Sequence, residues 1–119
     1  MAFPIDPGEP SPYEVVLTDV ADAEKEAVLE YLAQRSADAQ GRWFQDLSRA
    51  LNDIAWSPRL GAVAPDTDAY EIEVRQVSFR KGRNRYRVLY HIVDEDRLAV
   101  VLHIRQTAQR LLTDREEGR

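Results

Sequence analysis

The stretch from Arg85 to Arg105 decides the fold. It reads Arg85-Tyr86-Arg87-Val88-Leu89-Tyr90-His91-Ile92-Val93, then Asp94-Glu95-Asp96-Arg97, then Leu98-Ala99-Val100-Val101-Leu102-His103-Ile104-Arg105. Both outer runs are rich in β-branched and aromatic residues and have strand length. The polar residues between them suit a turn, and so short a connection requires antiparallel neighbours. The second run is apolar on both faces as far as Ile104, as expected of an interior strand. Upstream, Tyr70 to Phe79 reads as a further strand, separated from Arg85 by the turn-forming Arg80-Lys81-Gly82-Arg83-Asn84. Together the three predict a meander.

Tyr13 to Thr18 has strand composition and is followed at once by a helix signal. Thr18 or Asp19 is placed as N-cap, and Asp22 and Glu24 lie where the helix dipole favours anions. Val20, Ala23, Ala27, Tyr31 and Leu32 recur at helical spacing to about Arg35. Ser36 offers a second N-cap, after which Trp43, Phe44, Leu47, Ala50, Leu51 and Ile54 follow the amphipathic template closely. Pro58 ends that helix, and Ser57 to Thr67 reads as a connecting loop. Two helices with almost no linker predict an antiparallel hairpin whose apolar stripe lies on the meander. The expected architecture is α+β, β-α-α-β-β-β, with the helix hairpin packed on one face of a mainly antiparallel sheet. Trp43 and Phe44 are expected in the core, and Trp56 at the end of the hairpin.

The chain has 119 residues, no cysteine and a net charge of −5, which suits one domain in a reducing compartment. The prolines at 4, 7, 10 and 12 mark residues 1–12 as a flexible arm. Residues 13–112 form the expected domain, with a short helix near Ala108 to Leu112, and residues 113–119 a charged tail. No apolar run approaches the ~20 residues of a membrane span, and the N-terminus does not resemble a signal peptide. Cytoplasmic residence and no membrane partner are expected. Thiol chemistry is excluded, and no Gly-rich phosphate loop or nucleophile elbow is present. The charge is segregated, −8 over residues 1–70 and +4 over residues 71–112, where the positive charge is mostly arginine. Arginine suits planar recognition of carboxylate or phosphate.

Parity assigns faces. Ile72, Val74, Val88, Tyr90 and Ile92 occupy even positions, so the helices should cover an even face. Glu71, Glu73, Arg75, Arg87, His103 and Arg105 would then share the odd, open face. If the second turn leaves three residues unpaired, Arg87 lies opposite His103 and His91 opposite Ala99. Such a face can bind anions, and equally reads as a solvated surface on which arginines pair with Glu71 and Glu73. The cation-rich turn from Arg80 to Arg87 reads as a solvated hairpin tip or as an arm for phosphates. His91 and His103 do not converge with further ligands, so neither a metal nor a cofactor is expected.

These residues, in this order, resemble the RelE/ParE family of toxins from type II toxin–antitoxin modules. The resemblance is carried by the Trp43-Phe44 pair, Pro58-Arg59-Leu60-Gly61 with Ala64-Pro65, Val74-Arg75-Gln76, Tyr86-Arg87-Val88-Leu89-Tyr90 and Val101-Leu102-His103-Ile104-Arg105. It implies a small toxin neutralised by a cognate antitoxin in a hetero-oligomer. RelE-like members of the family cut mRNA on the ribosome without a metal, and ParE-like members inhibit DNA gyrase. Carried over residue by residue, Arg87 and Arg105 are kept. The two lysines of RelE-like nucleases fall at Glu71 and Glu73, a charge reversal where phosphate chemistry needs cations. Gln106 to Leu112 contains no tyrosine, and the His-Gly-Ala-Arg continuation is replaced by Gln106-Thr107-Ala108-Gln109 before Arg110. The preferred expectation is therefore a non-enzymatic, ParE-like toxin acting on gyrase. Its target- or phosphate-binding residues would be Arg75, Arg87, Arg105 and Arg110. The alternative is a RelE-like endoribonuclease using Arg87, His103 and Arg105. On the parity assignment, Arg87→Ala and Arg105→Ala should leave the fold intact.

Overall fold

The computed structural model describes residues 11–80 and 84–107. The arm as far as residue 10, the centre of the basic turn, the expected helix at 108–112, Arg110 and the tail lie outside the described residues. Strand β1 (Glu14–Leu17) leads into α1 (Asp19–Ala33) and α2 (Ala37–Trp56), followed by β2 (Ala62–Val63), β3 (Arg75–Phe79), β4 (Tyr86–Val93) and β5 (Leu98–Gln106). The strands form one sheet in the order β1-β5-β4-β3-β2. The β1–β5 pair is parallel and the others are antiparallel. Two-residue β2, not anticipated from the sequence, adds the outer edge beside β3.

Both helices start at the expected hydroxyls. Thr18 accepts a hydrogen bond from the Ala21 amide and Ser36 one from the Ala39 amide, each satisfying an orphan first-turn donor. Helix α2 buries Trp43, Leu47, Ala50 and Ile54 against the sheet, where they meet Phe79, Val88, Tyr90, Val101 and Ile104. Phe44 and Trp56, by contrast, are about half exposed. The α1 stripe is displaced by one residue from the expected one. Ala21 is buried and Val28, Leu29 and Leu32 pack on the core, while Val20 and Tyr31 face outward.

The register of β3 is the main correction to the sequence reading. Val77 pairs with Val88 and Ser78 with Arg87, so odd residues of β3 share a face with even residues of β4. Phe79 and Val77 face the helices, and Ile72 and Val74 do not belong to the strand at all. The chain from Ala64 to Val74 instead crosses the far face of the sheet as a strap. There Ala64, Val74 and Leu89 form a second, smaller core with Tyr70 and Leu102 against it. The apolar signal at Val74 was real, but it belongs to the opposite layer.

The β4–β5 hairpin is also shifted. Its turn leaves out four residues, with Val93 opposite Leu98, and a bulge follows between Leu89 and Tyr90 in the pairing, so that Leu102 has no partner. Arg87 consequently lies opposite Arg105, His103 opposite Leu89 and His91 opposite Val100. The bulge lets Ala99, Val101 and Ile104 all face the helices although their spacing breaks alternation.

Two local devices tie loops to this sheet. The Tyr90 hydroxyl, inside the main core, donates to the Pro58 carbonyl and accepts from the Gly61 amide. A Cβ on Gly61 would lie 2.4 Å from the Gln76 carbonyl oxygen and 2.6 Å from that hydroxyl. Gly61→Ala is expected to lower stability by about 2 kcal/mol through this overpacking, read as a lower urea midpoint at unchanged slope. At the other end, Asp94 receives both terminal nitrogens of Arg59, at 2.7 and 3.2 Å, and the Tyr13 hydroxyl at 2.7 Å. The Arg59 bonds, then Tyr13, bring the Asp94 carboxyl from 3.8 down to about 2. A depressed folded value stabilises above the unfolded pKa and is lost as pH falls through the folded one. Asp94→Asn should therefore flatten the fall in stability between pH 3.8 and 2, measured by acid titration of the far-ultraviolet signal.

Candidate functional site on the far face of the sheet

The face turned away from the helices carries Arg87, Leu89, His103 and Arg105, and the strap covers its centre. Strap geometry follows from a few bonds. The Ala64 amide donates to the Val74 carbonyl and the Val74 amide to the Thr67 hydroxyl. The Thr67 amide donates back to the Ala64 carbonyl, and a 3-10 turn at Thr67–Ala69 follows. This holds Asp66 over β4.

Asp66 meets Arg87 in a bidentate pair, with N–O distances of 3.0 and 3.2 Å, and Gln76 Oε1 accepts from the same guanidinium at 2.9 Å. Arg87 is only 4% exposed, the one buried charged residue among those described. Its Nε is buried without an acceptor. A cavity of about 120 Å³ adjoins it, lined by Pro65, Gln76, Ser78, Arg85 and Thr107 as well as Arg87.

The second cluster stands at the edge of the sheet. Beyond Leu17, β1 no longer covers β5, and α1 substitutes for it. Glu24 accepts the Ile104 amide at 3.0 Å and lies 3.2 Å from both His103 Nδ1 and Arg105 Nε. Burial alone would raise the Glu24 carboxyl, but the bonds from His103, Ile104 and Arg105 outweigh it and hold the group below its ordinary value. The Thr18 hydroxyl covers the neighbouring Leu102 carbonyl. A larger cleft of about 460 Å³ opens beside this edge, between α1 and the ends of β4 and β5, with Val28, Leu32, Trp43, Tyr86 and Ile104 among its walls.

The arginines expected to act together are thus separated. Arg75 pairs with Tyr90 across the sheet and lies on the helix side, where it donates to the Gly61 carbonyl and to Glu73. Arg87 is sealed under the strap, and Arg105 bends to Glu24. Glu71 and Glu73 precede β3 instead of standing on it, and both are exposed. His91 Nδ1 lies 2.8 Å from the Glu73 carbonyl. Among the described residues no group of three or more His, Asp or Glu side chains could hold a metal. Sequence reasoning missed Asp66, Gln76 and Glu24. Glu24 was detectable in principle, because Ala21, Glu24, Val28 and Leu32 form one stripe of α1. Asp66 had no such signal.

Two helices on one face of a five-stranded mixed sheet, with arginine-bearing central strands, define the RelE/ParE-like class of fold. The same arrangement occurs in the RelBE2 toxin–antitoxin complex of Mycobacterium tuberculosis, with 27% identity and a TM-score of 0.51 over 84% of this chain and 97% of that one. It occurs also in a mutant of the Escherichia coli toxin RelE in the free state, with 16% identity and a TM-score of 0.56 over 86% and 92%. No curated protein matches the sequence significantly. The family model for the ParE toxin of type II toxin–antitoxin systems matches residues 15–111, and the chain belongs to that family.

Proposed function

We propose that this toxin acts by binding a protein, DNA gyrase, and not by cleaving RNA. The observation that carries the reading is the burial of Arg87 in its pair with Asp66 and Gln76. A nuclease on this face would need that cation free to meet developing phosphorane charge, and the strap itself carries the acids Glu71 and Glu73. Arg75 and Arg105 keep more surface than Arg87 and, with Arg110, are the proposed contacts to the target. The acting unit is residues 13–112, working in the cytoplasm and held inactive in a hetero-oligomer with a cognate antitoxin. The neighbouring toxin structure, itself solved as a toxin–antitoxin complex, supports that partner. Among the described residues, no helix is long and apolar enough to cross a membrane.

Two assays on purified protein decide between targets. Loss of gyrase supercoiling with intact ribosome-bound mRNA is the expected result. Cleaved mRNA beside unchanged supercoiling would establish the ribonuclease instead.

A further inference from the structure

We infer that Asp66 occupies an anion seat built around Arg87, and so acts as the residue that keeps phosphate off this face. The seat carries polar groups beside the guanidinium, with Pro65 as its apolar wall. Arg87 presents a planar fork that accepts carboxylate and phosphate in the same bidentate geometry. Arg85, Ser78 and Thr107 line the adjoining open pocket of about 120 Å³, several times the space one water needs and thus enough for a small oxyanion. A second cation and two hydroxyl-bearing residues thus line a pocket beside a guanidinium whose Nε lacks an acceptor. The anion that fills the fork comes from the chain itself, at 3.0 and 3.2 Å.

Tethering decides the competition. A group on a short linker is presented at an effective concentration of about millimolar or higher. The strap is more constrained than a free linker, being pinned by the Ala64–Val74 and Val74–Thr67 bonds. Free phosphate must therefore compete with a carboxylate already held in the fork. The inference concerns the seat alone and stands or falls independently of whether gyrase is the target.

The test uses the full chain and inorganic phosphate, titrated by calorimetry against chloride at equal ionic strength. Asp66→Asn keeps an acceptor beside Arg87 and removes the competing charge. Phosphate is expected to bind this variant at least tenfold tighter than wild type, and adding Arg87→Gln should abolish the gain. If Asp66→Asn is unfolded alone, phosphate should restore its far-ultraviolet signal, since a ligand of the native state shifts folding by mass action. Equal phosphate affinity in wild type and Asp66→Asn overturns the inference. A gain that survives Arg87→Gln, or an unfolded variant that phosphate does not rescue, overturns it too.

Discussion

Arg87→Ala should destabilise the domain by about 3 kcal/mol, the low end of the range for breaking a buried ion pair, because Asp66 keeps about a third of its side-chain surface. The loss has two sources. Gln76 and Asp66 both lose their shared donor, and the strap's own carboxylate is left facing the sheet without its partner. With a slope of about 1–3 kcal/mol per molar urea, the midpoint should fall by roughly 1 M or more. Combining Arg87→Met with Asp66→Asn should recover much of the loss, since replacing both members of a buried pair is often close to neutral. Comparing the double variant with Arg87→Met alone separates an unpaired charge from lost packing. Had Arg87 stood on an open face, as parity suggested, the single substitution would leave the midpoint where it was.

Trp43→Ala should cost more, about 3–5 kcal/mol. Trp43 is fully buried on α2 and meets Phe79 and Tyr86 with ring centroids 5.8 and 5.4 Å apart, the latter edge to face at 74°. Phe79 and Tyr86 stack on each other at 5.6 Å, so deleting the indole empties a three-ring junction joining α2 to the β3–β4 turn. The indole Nε1 has no acceptor, which makes the native residue polar where polarity earns nothing. Trp43→Phe is therefore expected to cost only about 1–2 kcal/mol, since it discards a buried unsatisfied donor along with the lost volume. Both values come from denaturation followed by circular dichroism, because exposed Trp56 would contribute its own fluorescence. Against a total of about 5–15 kcal/mol, Trp43→Ala brings the domain close to unfolding.

The parts of the fold that depend on local chemistry were legible from the sequence. Ser36, the spacing from Trp43 to Ile54 and Pro58 fix α2 through capping, amphipathicity and proline geometry, all within a few residues. The β4–β5 hairpin announced itself through two apolar runs and a polar turn. What failed depended on distant partners. Val74 is apolar because Ala64 and Leu89 cover it on the far face, and alternation cannot say which layer supplies the cover. The α1 stripe was misplaced by one residue because its buried face passes through Glu24, a charge retained to satisfy the Ile104 amide and its neighbours. Arg87 and Asp66 are 21 positions apart, and neither residue type predicts burial. The site was thus visible as a set of arginines, but its closure was not.

The parallel pairing of β1 with β5 has a consequence for the birth of the protein. Glu14 sits beside Leu98 and Leu17 beside Val101, so the first strand made waits for the last. Helices α1 and α2 can form early, but β1 has no neighbour in the sheet until β5 has been synthesised. At synthesis speeds of ~5–20 residues per second, the intervening stretch takes several seconds. A toxin wired in this way leaves its first strand unpaired for that interval, and its sheet closes only once β5 has been made.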